Sequence, residues 1–147
     1  MTAPSREEQM RKLALELQMM QGSAETLQQR LQILQSAISD LRVAAASLEA
    51  LKESEEGAPI LVPTGGGAFV NANLGDLSKV IVSIGADVSI EMDLEEAEKN
   101  VSGRLEEVEK ANLSVGQQLE QILTQMQIHQ DGLNRLGASL RGEAPGV

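Results

Sequence analysis

Apolar residues recur along the first third of the chain in alternating steps of three and four. They are Met10, Leu13, Leu17, Met20, Ala24, Leu27, Leu31, Leu34, Ile38, Leu41, Ala45 and Leu48. No position in that run is polar. A seam of this period, sustained over more than five heptads, predicts a long helix that needs a partner along its whole length. A helix lying on a globular core would show a wider, less regular stripe. Ser5 and Glu8 form a capping-box pattern at its start. Gly57 and Pro59 supply stop signals, so the helix is predicted over 5–56.

The last third carries a matching seam: Leu94, Glu98, Val101, Leu105, Val108, Asn112, Val115, Leu119, Ile122, Met126, His129, Leu133, Leu136 and Leu140. Only Glu98, Asn112 and His129 are polar. Asp93 with Glu96 can cap the start, and Gly142 with Pro145 can end it, which predicts a helix over 93–141 and a short tail at 142–147. Each helix comes to about 70 Å at 1.5 Å per residue. Equal lengths and periods predict that the two pair antiparallel, with partner numbers summing to about 146. Both chain termini then share one tip.

A helical hairpin needs only a few linking residues; here a patterned segment, 59–92, intervenes. Ile60-Leu-Val62 leads into Pro63-Thr-Gly-Gly-Gly67, and Ala68 to Leu74 alternates apolar and polar. Lys79 to Ile84 is nearly all apolar, Gly85-Ala86 turns the chain, and Asp87 to Met92 alternates again. This is the pattern of four short strands in two hairpins. The Val80–Ile84 strand reads as buried on both faces, which one small chain cannot easily arrange. Two isolated hairpins are marginal and leave open edges. The insert therefore predicts assembly, several chains pooling hairpins into a shared β-barrel body. Its apolar residues Phe69, Val80, Ile81, Val82, Ile84, Val88 and Ile90 are the candidate assembly contacts. The fold class is α+β, and 1–147 reads as a single domain.

Composition narrows the function. At 147 residues there is room for one domain, and Phe69 is its only aromatic residue. The chain has no cysteine and one histidine, so it offers no disulfide framework, thiol nucleophile or multi-His metal site. A Ser-His-Asp triad would rest on His129 alone. The net charge of −10 argues against nucleic acid, whose phosphates need Lys and Arg clusters. The N-terminal segment is too charged for a signal peptide, and no run reaches the length of a membrane span. The expectation is a non-enzymatic, cytoplasmic chain with no cofactor, no metal and no membrane partner.

The remaining motifs are weak. Gly65-Gly66-Gly67 lacks the Gly-Lys-Ser/Thr that opens a helix in a phosphate loop, and a hairpin turn explains it better. The nine carboxylates between Asp87 and Glu109 lack the spacing of a calcium loop and suit a solvated helix face. Asn100-Val-Ser102 and Asn112-Leu-Ser114 match the glycosylation sequon but fall within a predicted helix. Asn112 reads equally as a register device or as a tolerated polar residue. His129 reads as a half-exposed filler, with a pH switch as the second reading.

Charge distribution says more. Residues 1–30 hold four basic and four acidic groups, and 121–147 hold two of each, so the whole −10 lies between 31 and 120. The predicted tip is neutral. Leu15, Met19 and Ile128 point off the seam there, and Met adapts its shape to varied partners. Fraying at the helix ends would add Met10, Leu13, Leu17, Met20, Leu133, Leu136 and Leu140 to that surface.

Leu61-Val-Pro63, Gly65, Gly67, Phe69, then Val80-Ile-Val-Ser-Ile-Gly-Ala86 with Val88 and Ile90, set between equal helices, resembles the alpha-class prefoldin signature of the archaeal type. The likeness covers about 8–141. It implies that two alpha-class and four beta-class subunits pool their hairpins into a double β-barrel from which six coiled coils hang. It implies further that the tips hold unfolded polypeptides without ATP and pass them to a group II chaperonin in the cytosol. Client contacts in the family are spread over the tips, so only the region carries over. The Gly-Gly-Gly run is richer in glycine than the family pattern leads one to expect. The alternative reading is a structural coiled-coil scaffold or tether, which has no need of an assembling β insert.

Overall fold

The computed structural model describes residues 3–142. Its elements in chain order are α1 (Arg6–Lys52), β1 (Pro59–Gly65), β2 (Ala68–Asn73), β3 (Lys79–Gly85), β4 (Val88–Asp93) and α2 (Leu94–Leu140). Two long helices thus flank two antiparallel hairpins, β1–β2 and β3–β4. Pro145, and the tail beyond Gly142, lie outside the described residues.

The caps are those the residue types favour. The Glu8 N–H donates to Ser5 Oγ at 3.2 Å while Glu8 Oε2 accepts the Ser5 N–H at 3.2 Å, a reciprocal capping box. Asp93 Oδ1 accepts the Glu96 N–H at 2.7 Å, so β4 passes into α2 without a loop. The expected end of α1 at 56 is corrected to Lys52. Beyond Leu51 there is no apolar residue to bury before Ala58, and Glu53, Glu55 and Glu56 would stand at the negative end of the helix dipole. The chain instead tightens, Ser54 N–H donating to Leu51 C=O and Ser54 Oγ to Ala50 C=O.

The chain divides by its internal contacts into two units, 36–109 and the two end segments 1–35 with 110–147. In the hairpin unit, Leu48, Met92, Ala97 and Val101 form the core, with Leu41, Leu51, Val80, Val82 and Leu94 packed against it. Strand alternation explains the selection. Val80 pairs with Met92 and Val82 with Ile90, so one face of β3–β4 meets the helices while Ile81 points the other way. Lys52 Nζ lies 2.7 Å from Glu98 Oε2, and Arg42 reaches Glu109 at 3.3 Å.

In the unit holding the chain ends, every seam residue of α1 from Met10 to Leu34 is buried or half-buried, Ala24 and Leu27 most deeply. Arg6 donates to Ser139 Oγ at 2.6 Å, Glu16 meets His129, and Leu13 Cδ1 lies 3.3 Å from where a Cβ on Gly132 would stand. These partner numbers sum to 145, one short of the predicted register.

Candidate interaction surfaces

The hairpins carry open apolar faces. On β1–β2, Ile60, Val62, Val70 and Ala72 share one face, and Leu61, Pro63 and Phe69 share the other. Ile60, Leu61, Val62, Phe69 and Val70 are all exposed. On β3–β4 the residues divide. Val80 and Val82 are engaged by the chain's own core, whereas Ile81 is 74% exposed and Ile84, Val88 and Ile90 are exposed as well. Within one chain Val80–Ile84 is therefore not buried on both faces, in keeping with the expectation that one small chain cannot arrange it. One face is covered at Val80, Val82 and Met92 but open at Ile84 and Ile90, and the other offers Ile81 between Lys79 and Ser83. It is β1–β2 that carries exposed apolar residues on both faces, the second mixed with Asn71 and Asn73, a feature visible in the sequence as Ile60-Leu-Val62 opposite Phe69-Val70. Burying side chains of this size is worth about 1.5–3 kcal/mol each.

Both turns have one geometry. Gly65, Gly66 and Gly67 have φ of +105°, +59° and +82°, and Gly85, Ala86 and Asp87 have +107°, +49° and +60°. Each hairpin shifts register before a two-residue turn in left-handed conformation. The triple glycine meets that need directly. The second turn places Ala86, which has a Cβ, in the same region.

In the chain-end unit, the sequence-predicted residues sort by helix face. Met10, Leu13, Leu17, Met20, Leu133 and Leu136 are half-buried in the seam, while Leu140 is exposed at its end. Leu15, Met19 and Ile128 face outward, Met19 being 66% exposed. Met19 and Met20 join Glu16, Ser23, Ile122 and His129 around a groove of about 340 Å³. A shallow cleft of about 540 Å³ continues it past Thr26 to Arg30. On another side, Leu17, Leu123 and Met126 line a smaller one of about 260 Å³ among Gln21, Gln127 and Gln130. The parts played by Ile122, Glu16 and His129 in the first groove depend on which residues face each other across the helices, information that no single seam contains.

Two polar groups of the α2 seam are incompletely paired. Asn112 Oδ1 and Glu98 Oε1 are buried without a hydrogen-bond partner among the described residues. His129 is satisfied on both nitrogens, Nε2 at 2.7 Å from Glu16 Oε2 and Nδ1 at 2.9 Å from the Gln125 carbonyl. The Glu16 hydrogen bond and the Gln125 carbonyl raise its pKa above the ordinary histidine value of 6.5. Among the described residues there is no cluster of three His, Cys, Asp or Glu fit to hold a metal, and no helix long and apolar enough to cross a membrane.

Comparison with known proteins points one way. The family model described as Prefoldin subunit matches residues 7–139. Prefoldin subunit alpha of Methanococcoides burtonii is 35% identical over 120 residues, covering 82% of this chain and 84% of that one. Prefoldin subunit alpha of Pyrococcus horikoshii is 36% identical over 104 residues, covering 70% of each. Among solved structures, a cryo-EM structure of filamentous PFD from Methanocaldococcus jannaschii superposes with a TM-score of 0.65 at 28% identity, covering 76% of this chain and 92% of that one.

Proposed function

Because this chain belongs to the prefoldin family, we propose that it is an alpha-class subunit of an ATP-independent holding chaperone. Its hairpins join those of beta-class subunits, two alpha with four beta, in a shared β body. The helix-pair unit at its chain ends captures unfolded polypeptides and delivers them to a group II chaperonin in the cytoplasm. The observation that carries this reading is the pairing of two kinds of open apolar surface on one chain. The hairpins expose rigid β-branched and aromatic faces, which suit permanent burial. The chain-end unit exposes Leu15, Met19 and Ile128 beside a Met-lined groove, which suits varied partners.

The test is to co-express the chain with a beta-class subunit, measure the mass of the assembly, and assay suppression of aggregation of a denatured protein. Deleting 1–18 with 130–147 from this chain, in complexes whose beta tips are also removed, should preserve the number of subunits in the assembly and abolish the suppression. Full suppression by that doubly truncated complex would move client capture to the hairpin body. A filament in place of a closed oligomer, the form named for the Methanocaldococcus structure, would overturn the two-to-four stoichiometry.

A further inference from the structure

His129 faces an acceptor on each side. The Gln125 carbonyl oxygen lies 2.9 Å from Nδ1 and the Glu16 carboxylate oxygen 2.7 Å from Nε2. A neutral imidazole has one N–H and would set a lone pair against one of these oxygens. Only the imidazolium donates to both. The ring is 14% exposed and joins α2 to α1 through Glu16, and the pair forms one wall of the groove lined by Met19, Met20 and Ile122. From α1 the ring meets the Glu16 carboxylate, and Lys12 Nζ lies 4.0 Å from the other oxygen of that carboxylate. On α2 the nearest acid in sequence, Asp131, takes the Gln127 amide at 3.0 Å instead.

We propose that His129 is a proton-operated latch on this groove, tying α2 to Glu16 by a charged hydrogen bond when protonated and loosening that tie when neutral, as the charge and one of the two N–H donors are lost, so that the groove opens more readily to apolar client side chains as the proton leaves. The inference rests on the proposed client-holding function for its consequence, but not for the latch itself. The direction follows from linkage. A group favoured in its charged form by folded-state partners stabilises the folded arrangement fully below its unfolded pKa and loses that contribution as pH rises through its folded pKa. The raised value at His129 puts the loss above pH 6.5.

His129 is the only histidine in the chain, so its ring is a unique reporter. With ¹⁵N-histidine in this subunit alone, in the full complex, both ring nitrogens should carry protons below the midpoint. That midpoint should lie above 6.5 and fall in Glu16→Gln. Exchange of the amides around 126–133 should rise at least about twofold across the same midpoint and stay flat in His129→Leu. A midpoint unchanged by Glu16→Gln, or exchange indifferent to it, overturns the latch. Capture of a denatured protein by a photo-crosslinker at Met19 should increase over the same pH interval. Titration and exchange as expected with pH-independent capture would keep the latch and remove this groove from the client-holding surface.

Discussion

Ala86 stands in the second hairpin where Gly66 stands in the first, and both are left-handed, with φ of +49° and +59°. At Gly66 nothing lies within 4 Å of where a Cβ would stand, so crowding does not explain the choice of residue there. The cost of a side chain in this turn is backbone strain. Ala86→Gly should stabilise the hairpin unit by about 0.5–1 kcal/mol once the greater freedom of glycine in the unfolded chain is subtracted. Gly66→Ala should cost about 1 kcal/mol. Denaturant midpoints of the two variants, moving in opposite directions, check both.

Asn112 occupies a seam position with its carbonyl oxygen buried and unpartnered among the described residues. Asn112→Leu should raise stability by about 1–2 kcal/mol by removing an unsatisfied polar atom. If the amide also fixes register, the same variant should show heterogeneous cross-helix pairing, read as mixed disulfide trapping between cysteines placed at 16 and 129 and at 16 and 133.

Lys52 and Glu98 form the shortest ion pair described in the hairpin unit, and the Glu98 hydrogen bond raises the Lys52 pKa above its usual 10.5. The pair's contribution is complete at neutral pH and is lost as pH rises through the folded value, above 10.5. Lys52→Ala should lower the melting temperature at pH 7, since it strands a half-buried carboxylate. Glu98→Leu should not lower it, because it extends the apolar seam and leaves Lys52 able to reach water. Melts should separate wild type from Lys52→Ala at pH 7 and bring them together well above pH 10.5.

The exposed hairpin faces separate assembly from folding. Ile81→Asp and Phe69→Asp alter side chains that touch little of their own chain, so each should abolish assembly with helix content retained. Val82→Lys strikes the core formed with Leu48 and Met92 and should cost helix content as well. Sedimentation and circular dichroism on the same samples distinguish the two outcomes.

Much of this arrangement is legible in the sequence because periodicity reports burial directly. The seam from Met10 to Leu48 reappears as the buried line of α1, and the Ser5 and Asp93 caps form as their residue types favour. What the sequence conceals is pairing across elements. The apolar run Lys79–Ile84 looks uniform, yet strand alternation gives Val82 to the core and Ile81 to the outside. The helix stops at Lys52 because three acids follow, a signal weaker to the eye than Gly57 and Pro59. In the sequence His129 has the character of a half-exposed filler because Glu16 is 113 residues away. Only the antiparallel register brings them together.

Client holding should be indifferent to ATP and to EDTA. The chain lacks the Lys and Ser/Thr of a phosphate loop after its glycines, has no cysteine, and carries one histidine. A strong response of aggregation suppression to either reagent would contradict the proposed chaperone function.

The most direct measurement places a photo-crosslinking residue singly at Leu15, Met19, Ile128, the seam position Leu31, and the hairpin position Ile81, and offers each assembled complex a denatured protein. The proposed function predicts client adducts at Leu15, Met19 and Ile128, few at Leu31, and adducts at Ile81 only with partner subunits. Client adducts concentrated at Ile81, with none at the three outward positions of the chain-end unit, would contradict it.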